Sequence, residues 1–124
     1  DAPLAIGGTL DGDPYTLAVS VAELVLREAG FRAMSLGHML PFATLHKAIE
    51  KQSPRMLWLC ISTIREPERF IAEMNQLFEV ASAHKCALVI GGRALRHETR
   101  DRLRYSSYCD NFAHLFAFAQ MLKG

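Results

Sequence analysis

The sequence predicts an α/β domain with a doubly wound, five-stranded parallel sheet. Three observations predict it. Short apolar runs alternate with amphipathic segments along all 124 residues. Two of the runs, "MLWLCIS" and "CALVIGG", are almost continuously apolar, as parallel strands covered on both faces are. Helical segments are punctuated in the expected places: Gly30 follows one, and Pro41 opens the next.

The elements follow in order. "PLAIGGTL" is a first strand. Residues 14–29 form a helix with Leu17, Val21, Leu24, Val25 and Ala29 inward, mostly at three- and four-residue spacing. "FRAMSLG" is a second strand. A second helix starts at Pro41 and turns Phe42, Leu45 and Ile49 to one side. "RMLWLCIS" is the third strand, with Trp58 as core. "EPERFIAEMNQLFEVASAH" is a third helix with Phe70, Met74, Leu77, Phe78 and Ala81 inward. "CALVIGG" is the fourth strand, "ALRHETRDRLR" a short polar helix and "YSSYC" a fifth strand. Asp110 caps a last helix striped by Phe112, Leu115, Phe116 and Ala119. Right-handed crossovers then give three layers and the flavodoxin-like strand order 2-1-3-4-5. Residues 1–124 read as one domain, with no internal repeat or linker. The first residue is Asp1 and no signal peptide is evident, so the sequence reads as a segment of a longer protein.

Composition excludes several function classes. Hydrophobic residues make up 50% and charged residues 22%, which is globular rather than disordered. No apolar run approaches the roughly 18 residues of a membrane-spanning helix. A formal net charge of +1 gives no electrostatic reason for direct nucleic-acid binding. Cys60, Cys86 and Cys109 are odd in number and lack Cys-x-x-Cys spacing, so they read as reduced thiols of a cytoplasmic protein rather than as a zinc site.

Ligands of this architecture sit beyond the carboxyl ends of the strands, where the strand order reverses. The loops there are "DGDPYT", "GHMLP", "STIREPE", "GGRAL" and "CDN". A phosphoacceptor receiver domain needs a carboxylate after the third strand and a Lys near the end of the fifth. Ser62 and "SSYCDN" hold those places. The two acids of "DGDPYT" repel the phosphate that a flavodoxin would hold there. The dinucleotide fingerprint and the phosphate P-loop are also missing.

Three stretches together resemble the cobalamin-binding domains of methionine synthase, methylmalonyl-CoA mutase and light-sensing MerR-type repressors. That family carries Asp-x-His-x-x-Gly after the first strand, Ser-x-Leu after the third and Gly-Gly after the fourth. Here "DPYTLA", "STI" and "GGRA" stand at these places. "LVLREAGFRAMSLGHMLPFATL" is similar to the family's second strand and its flanks, and the resemblance runs from about Ala5 to Leu122. It implies a cofactor site of Asp13, Tyr15, Ala18, Ser62, Gly91 and Gly92, to which the carboxyl-end loops flanking the switch point add Thr16, Thr63 and Arg93. Ser62, Gly91 and Gly92 would line the channel for the nucleotide tail.

The departures fall where the chemistry is. The family's cobalt-ligating His is Tyr15 here, and a neutral phenol with a pKa near about 10 is a much weaker ligand than imidazole. Asp13, which would orient that His, has none to orient. The family's Gly is Ala18. The leading expectation is therefore a regulatory sensor domain, cobalamin-binding-like but lacking the cobalt ligand, and not an enzyme. The resemblance implies an upstream DNA-binding domain of MerR type as its partner within the chain, with self-association open. The alternatives are a genuine cobalamin-binding domain, either base-on or as the cofactor-carrying subunit of a methyltransferase or mutase, and a haem or other tetrapyrrole sensor.

The remaining candidates have plain structural readings. Asp11 and Asp13 suit a polar turn with a helix cap. His38 could ligate haem with Met39, but reads as a loop residue beside a core Met. His46, His84, His97 and His114 read as structural. Arg96, Arg100 and Arg104 recur every four residues and would share one face of a helix, with Glu98 and Asp101 interleaved.

Overall fold

The structure is a computed structural model that describes residues 2–10 and 17–123. Its elements in chain order are β1 (Leu4–Gly8), α1 (Leu17–Glu28), β2 (Arg32–Ser35), α2 (Phe42–Gln52), β3 (Met56–Cys60), α3 (Pro67–Ala83), β4 (Ala87–Gly91), α4 (His97–Arg100), β5 (Ser107–Tyr108) and α5 (Phe112–Lys123). The sheet is parallel with order β2-β1-β3-β4-β5, as the sequence predicts. No described helix is long and apolar enough to cross a membrane.

Strand periodicity divides the core into two layers. Ile6, Leu57, Leu59, Leu88 and Ile90 pack against Leu45 and Ile49 of α2 and Met74 and Leu77 of α3. Ala5, Met56, Trp58 and Val89 point the other way, toward Ala22 and Leu26 of α1 and Leu115 and Ala119 of α5. Gly7 stands beside Trp58 in register and leaves room for its indole. A Cβ at Gly7 would lie inside the indole ring. The sheet edge at β2 is covered by its own crossover helix. Arg27 of α1 donates to Ala33 O at 3.2 Å, and Glu23 accepts the Ser35 N–H at 2.7 Å.

Five sequence expectations need correction. In α1 the buried residues are Val19, Ala22 and Leu26, followed by Ala29, whereas Leu24 is 61% exposed. On the helical wheel Leu24 falls between Ser20, Arg27 and Glu28, so the polar residues and not the apolar ones choose this face. Phe112 is 40% exposed, at the first residue of α5. Asn111 rather than Asp110 caps that helix, because its side-chain oxygen accepts the His114 N–H at 2.9 Å. Met39 is not core: it is 43% exposed, with a positive φ of 56°.

The fifth correction concerns the basic stripe. α4 spans only His97–Arg100, so Arg96, Arg100 and Arg104 do not share a helix face. Arg100 and Arg104 meet different partners. Arg100 stacks 4.1 Å over Tyr108, and Arg104 reaches Glu79 at 2.9 Å and lies over Phe78. Arg102 forks onto Glu68 at 2.7 and 2.8 Å, which holds that exposed carboxylate below its ordinary pKa.

Candidate functional site

A cavity of about 190 Å³ opens at the carboxyl ends of β3, β4 and β5, on the side covered by α1 and α5. It exists because small residues stand where large ones would close it. Ala18 and Ala22 face it from α1, Cys60 from β3 and Cys109 from the end of β5. Between the two cysteines lies Gly91, in register with Cys60, so the middle of this wall has no side chain. Trp58 and Val89 form the floor and Leu115 a side wall. The exposed Asp110 and Asn111 also border it.

The chemistry of the wall is that of an apolar slot. Burial pushes the Cys109 thiol up, the Ser107 hydroxyl opposes this, and Asp110 adds to it. The thiol is therefore neutral near pH 7. Trp58 is 2% exposed, and its Nε1 is shut off from solvent without a hydrogen-bond partner. A buried unsatisfied donor destabilises a fold by roughly 1–3 kcal/mol, and among the described residues this N–H has no acceptor.

The loops around the cavity are tied together by backbone bonds. Ile61 N–H donates to Gly91 O at 2.7 Å, and Ala94 N–H to Ile61 O at 3.2 Å. Gly92 has a φ of +126°, and a Cβ there would run into the Ile61 backbone. The Gly-Gly pair thus lets the β4 loop fold back on the β3 loop. On the β1 side, fully buried Thr9 accepts the Met39 N–H on its hydroxyl at 2.8 Å and the Leu40 N–H on its carbonyl at 2.8 Å.

The sequence-derived site divides across the sheet. Ala18, Gly91 and Gly92 border the apolar cavity. Thr63 borders a second, more open cavity of about 470 Å³ on the opposite face, between α2 and α3. There Arg69 lies 3.0 Å from Glu73 and 3.9 Å from Glu66. The half-buried Ser62 and the exposed Arg93 border neither cavity. Asp13, Tyr15 and Thr16 lie outside the described residues. The sequence reading missed Ala22, Trp58, Cys60, Cys109 and Leu115. Strand alternation could have found the middle three, since Trp58 and Cys60 must share a face and Gly7 leaves room opposite the indole.

No family model matches the chain. It is 22% identical over 119 residues to dimethylamine corrinoid protein 1 of Methanosarcina mazei, a match that covers 94% of this chain and 54% of that protein. The chain thus spans about half the length of the curated relatives it matches. A cobalamin-binding protein from Desulfitobacterium hafniense superposes with a TM-score of 0.83 at 16% identity, over 100% of this chain and 60% of that one. The methanol:cobalamin methyltransferase complex of Methanosarcina barkeri gives 0.82 at 20% identity, over 98% of this chain and 47% of the other. Signal receiver domains share the fold at lower scores, 0.61 and 0.58 among them. The chain therefore has the fold of cobalamin-binding domains and is similar to corrinoid proteins along almost its entire length.

Proposed function

We propose that this domain binds a corrinoid and carries it for a methyl-transferring partner, with the nucleotide tail seated in the cavity between the sheet and helices α1 and α5. The observation that carries the reading is that cavity: apolar, about 190 Å³, and opened by Ala18, Ala22 and Gly91 at the carboxyl ends of the strands. An apolar cavity of about 150 Å³ accepts a benzene ring, so one of this size suits a bicyclic base. A base seated there would be held by the cavity walls of Ala18, Ala22 and Leu115. Tyr15, at the place of the family's His, offers a phenol in place of imidazole. The domain on this reading holds its corrinoid through the tail and the loops, without a protein imidazole on the metal. A bound corrinoid supplies a cobalt centre that takes up and releases a methyl group. The protein supplies the seat, and the reaction belongs to the partner.

The corrinoid-protein relatives back this carrier role better than the regulatory-sensor reading drawn from the sequence, and better than haem ligation by His38 and Met39. The test is to pass the domain, mixed with aquacobalamin, through a gel-filtration column and read the visible band. Co-elution of one equivalent is expected. Corrinoid that elutes apart from the protein contradicts the proposal.

A further inference from the structure

Among the described residues, three other than glycine have a positive φ: Met39 at 56°, Ser53 at 46° and Lys85 at 55°. Ser53 and Lys85 follow α2 and α3, where a left-handed residue is an ordinary way to end a helix. Met39 has no such reason. It stands in the loop between β2 and α2, where glycine or asparagine adopts this backbone at less cost. The loop is nonetheless held firmly. Fully buried Thr9 accepts the Met39 N–H on Oγ1 at 2.8 Å and the Leu40 N–H on its carbonyl at 2.8 Å. Its own N–H donates to Gly37 O at 3.3 Å, and Leu40 pairs with Leu10 in a parallel bridge. The result is a large apolar side chain, 43% exposed, fixed at the carboxyl end of the sheet.

Thr9 and Leu10 lead directly into residues 11–16, which include Tyr15 at the place of the family's cobalt-binding His. Met39 is thus anchored to the root of that segment, on the β2 side of the sheet and away from the cavity beneath α1 and α5. Its thioether is polarisable, adaptable and suited to the edge of a flat conjugated ring. We infer that Met39 is a contact residue for the macrocycle of the bound corrinoid, its thioether lying against the ring and not on the metal. This rests on the corrinoid reading for the identity of the ring. A strained backbone then has a use, because it fixes the side chain before the ligand arrives. One sulfur–ring contact is expected to contribute about two- to tenfold in affinity. A methionine kept only for packing behaves differently: its removal destabilises the fold and leaves the ligand indifferent.

The chain has five methionines, so a sample labelled at the methionine methyl carbons gives five methyl cross-peaks. The Met39 peak is the one missing from Met39→Gly, or from Met39→Leu if the glycine variant does not fold. The probe is aquacobalamin. Its addition is expected to move the Met39 peak and to leave that of Met121 in place, since Met121 is 70% exposed in the last turn of α5, at the opposite end of the domain. Met39→Gly removes the strain together with the thioether. It is expected to bind aquacobalamin about two- to tenfold more weakly with Tm unchanged or raised. Bound cobalamin with an unmoved Met39 peak overturns the inference and leaves the carrier reading standing. So does a glycine variant that binds as tightly as the unaltered chain, or one whose Tm falls while its affinity holds. Aquacobalamin that does not bind the unaltered chain at all removes the carrier reading, and the inference with it.

Discussion

Replacing Gly92 by Ala tests whether the two loops that frame the cavity are locked by a glycine that no other residue can replace. Gly92 has φ +126°, where an L-residue is strained by roughly 1–3 kcal/mol. The new Cβ would also overlap the Ile61 carbonyl, which cannot swing away freely. Ile61 is held by its N–H to Gly91 O at 2.7 Å and by the Ala94 N–H on its own carbonyl at 3.2 Å. Relieving the overlap misaligns both bonds, at roughly 0.5–1.5 kcal/mol each. The expected loss is therefore about 2–6 kcal/mol. Near this chain length it lowers Tm by roughly 8–24 °C. Gly37→Ala is the internal control, because Gly37 has φ +115° but nothing within 4 Å of its would-be Cβ. It should lose only the backbone part, roughly 1–3 kcal/mol or about 4–12 °C. Thermal unfolding followed by circular dichroism measures both. Equal losses in the two variants, or a Gly92→Ala protein that melts within about 3 °C of the unaltered one, would refute the argument.

Two further outcomes follow from the packing and the thiols. Ala22→Leu grows a side chain into the cavity from α1. It should leave Tm unchanged or raised, by up to about 2 kcal/mol of stability, while weakening corrinoid binding more than about tenfold. Full retention of binding would place the tail elsewhere. Burial pushes the Cys86 thiol up to about 12, so the folded state keeps its proton where the unfolded chain, at about 8.5, loses it. That stabilisation is complete below about pH 8.5 and declines as the pH rises toward 12. Cys86→Ala should therefore flatten the alkaline fall of the urea midpoint between about pH 8 and pH 10.5. Identical pH slopes for the two proteins contradict this.

The parts of the fold set by pattern were legible in the sequence. Continuous apolar strands, Gly30 and Pro41 fixed the element order, and the crossover rule fixed the topology. What failed was the choice among competing apolar faces. α1 carries apolar residues almost all round, and only the positions of Ser20, Arg27 and Glu28 reveal that Leu24 faces outward. At the start of α5, Asp110 and Asn111 are both good caps, and only the geometry of the His114 N–H separates them. The site was legible by loop but not by face. Ser62, Thr63, Gly91 and Gly92 do lie at the carboxyl ends. Yet a strand end has two sides, and Thr63 falls on the side opposite Gly91. The cavity itself is a matter of missing volume at Ala18, Ala22 and Gly91, which no motif records. Trp58 read as core and is core, yet its unpartnered N–H is visible only in three dimensions.

Electron paramagnetic resonance of the domain loaded with cob(II)alamin tests the central claim most directly. A nitrogen bound below the cobalt, whether from the tail base or from a histidine, splits each cobalt line into three. A base seated over Trp58 with Tyr15 in place of the family's His predicts lines without that splitting, at one equivalent of bound corrinoid. A threefold splitting, or a corrinoid that never associates with the protein, would contradict the account.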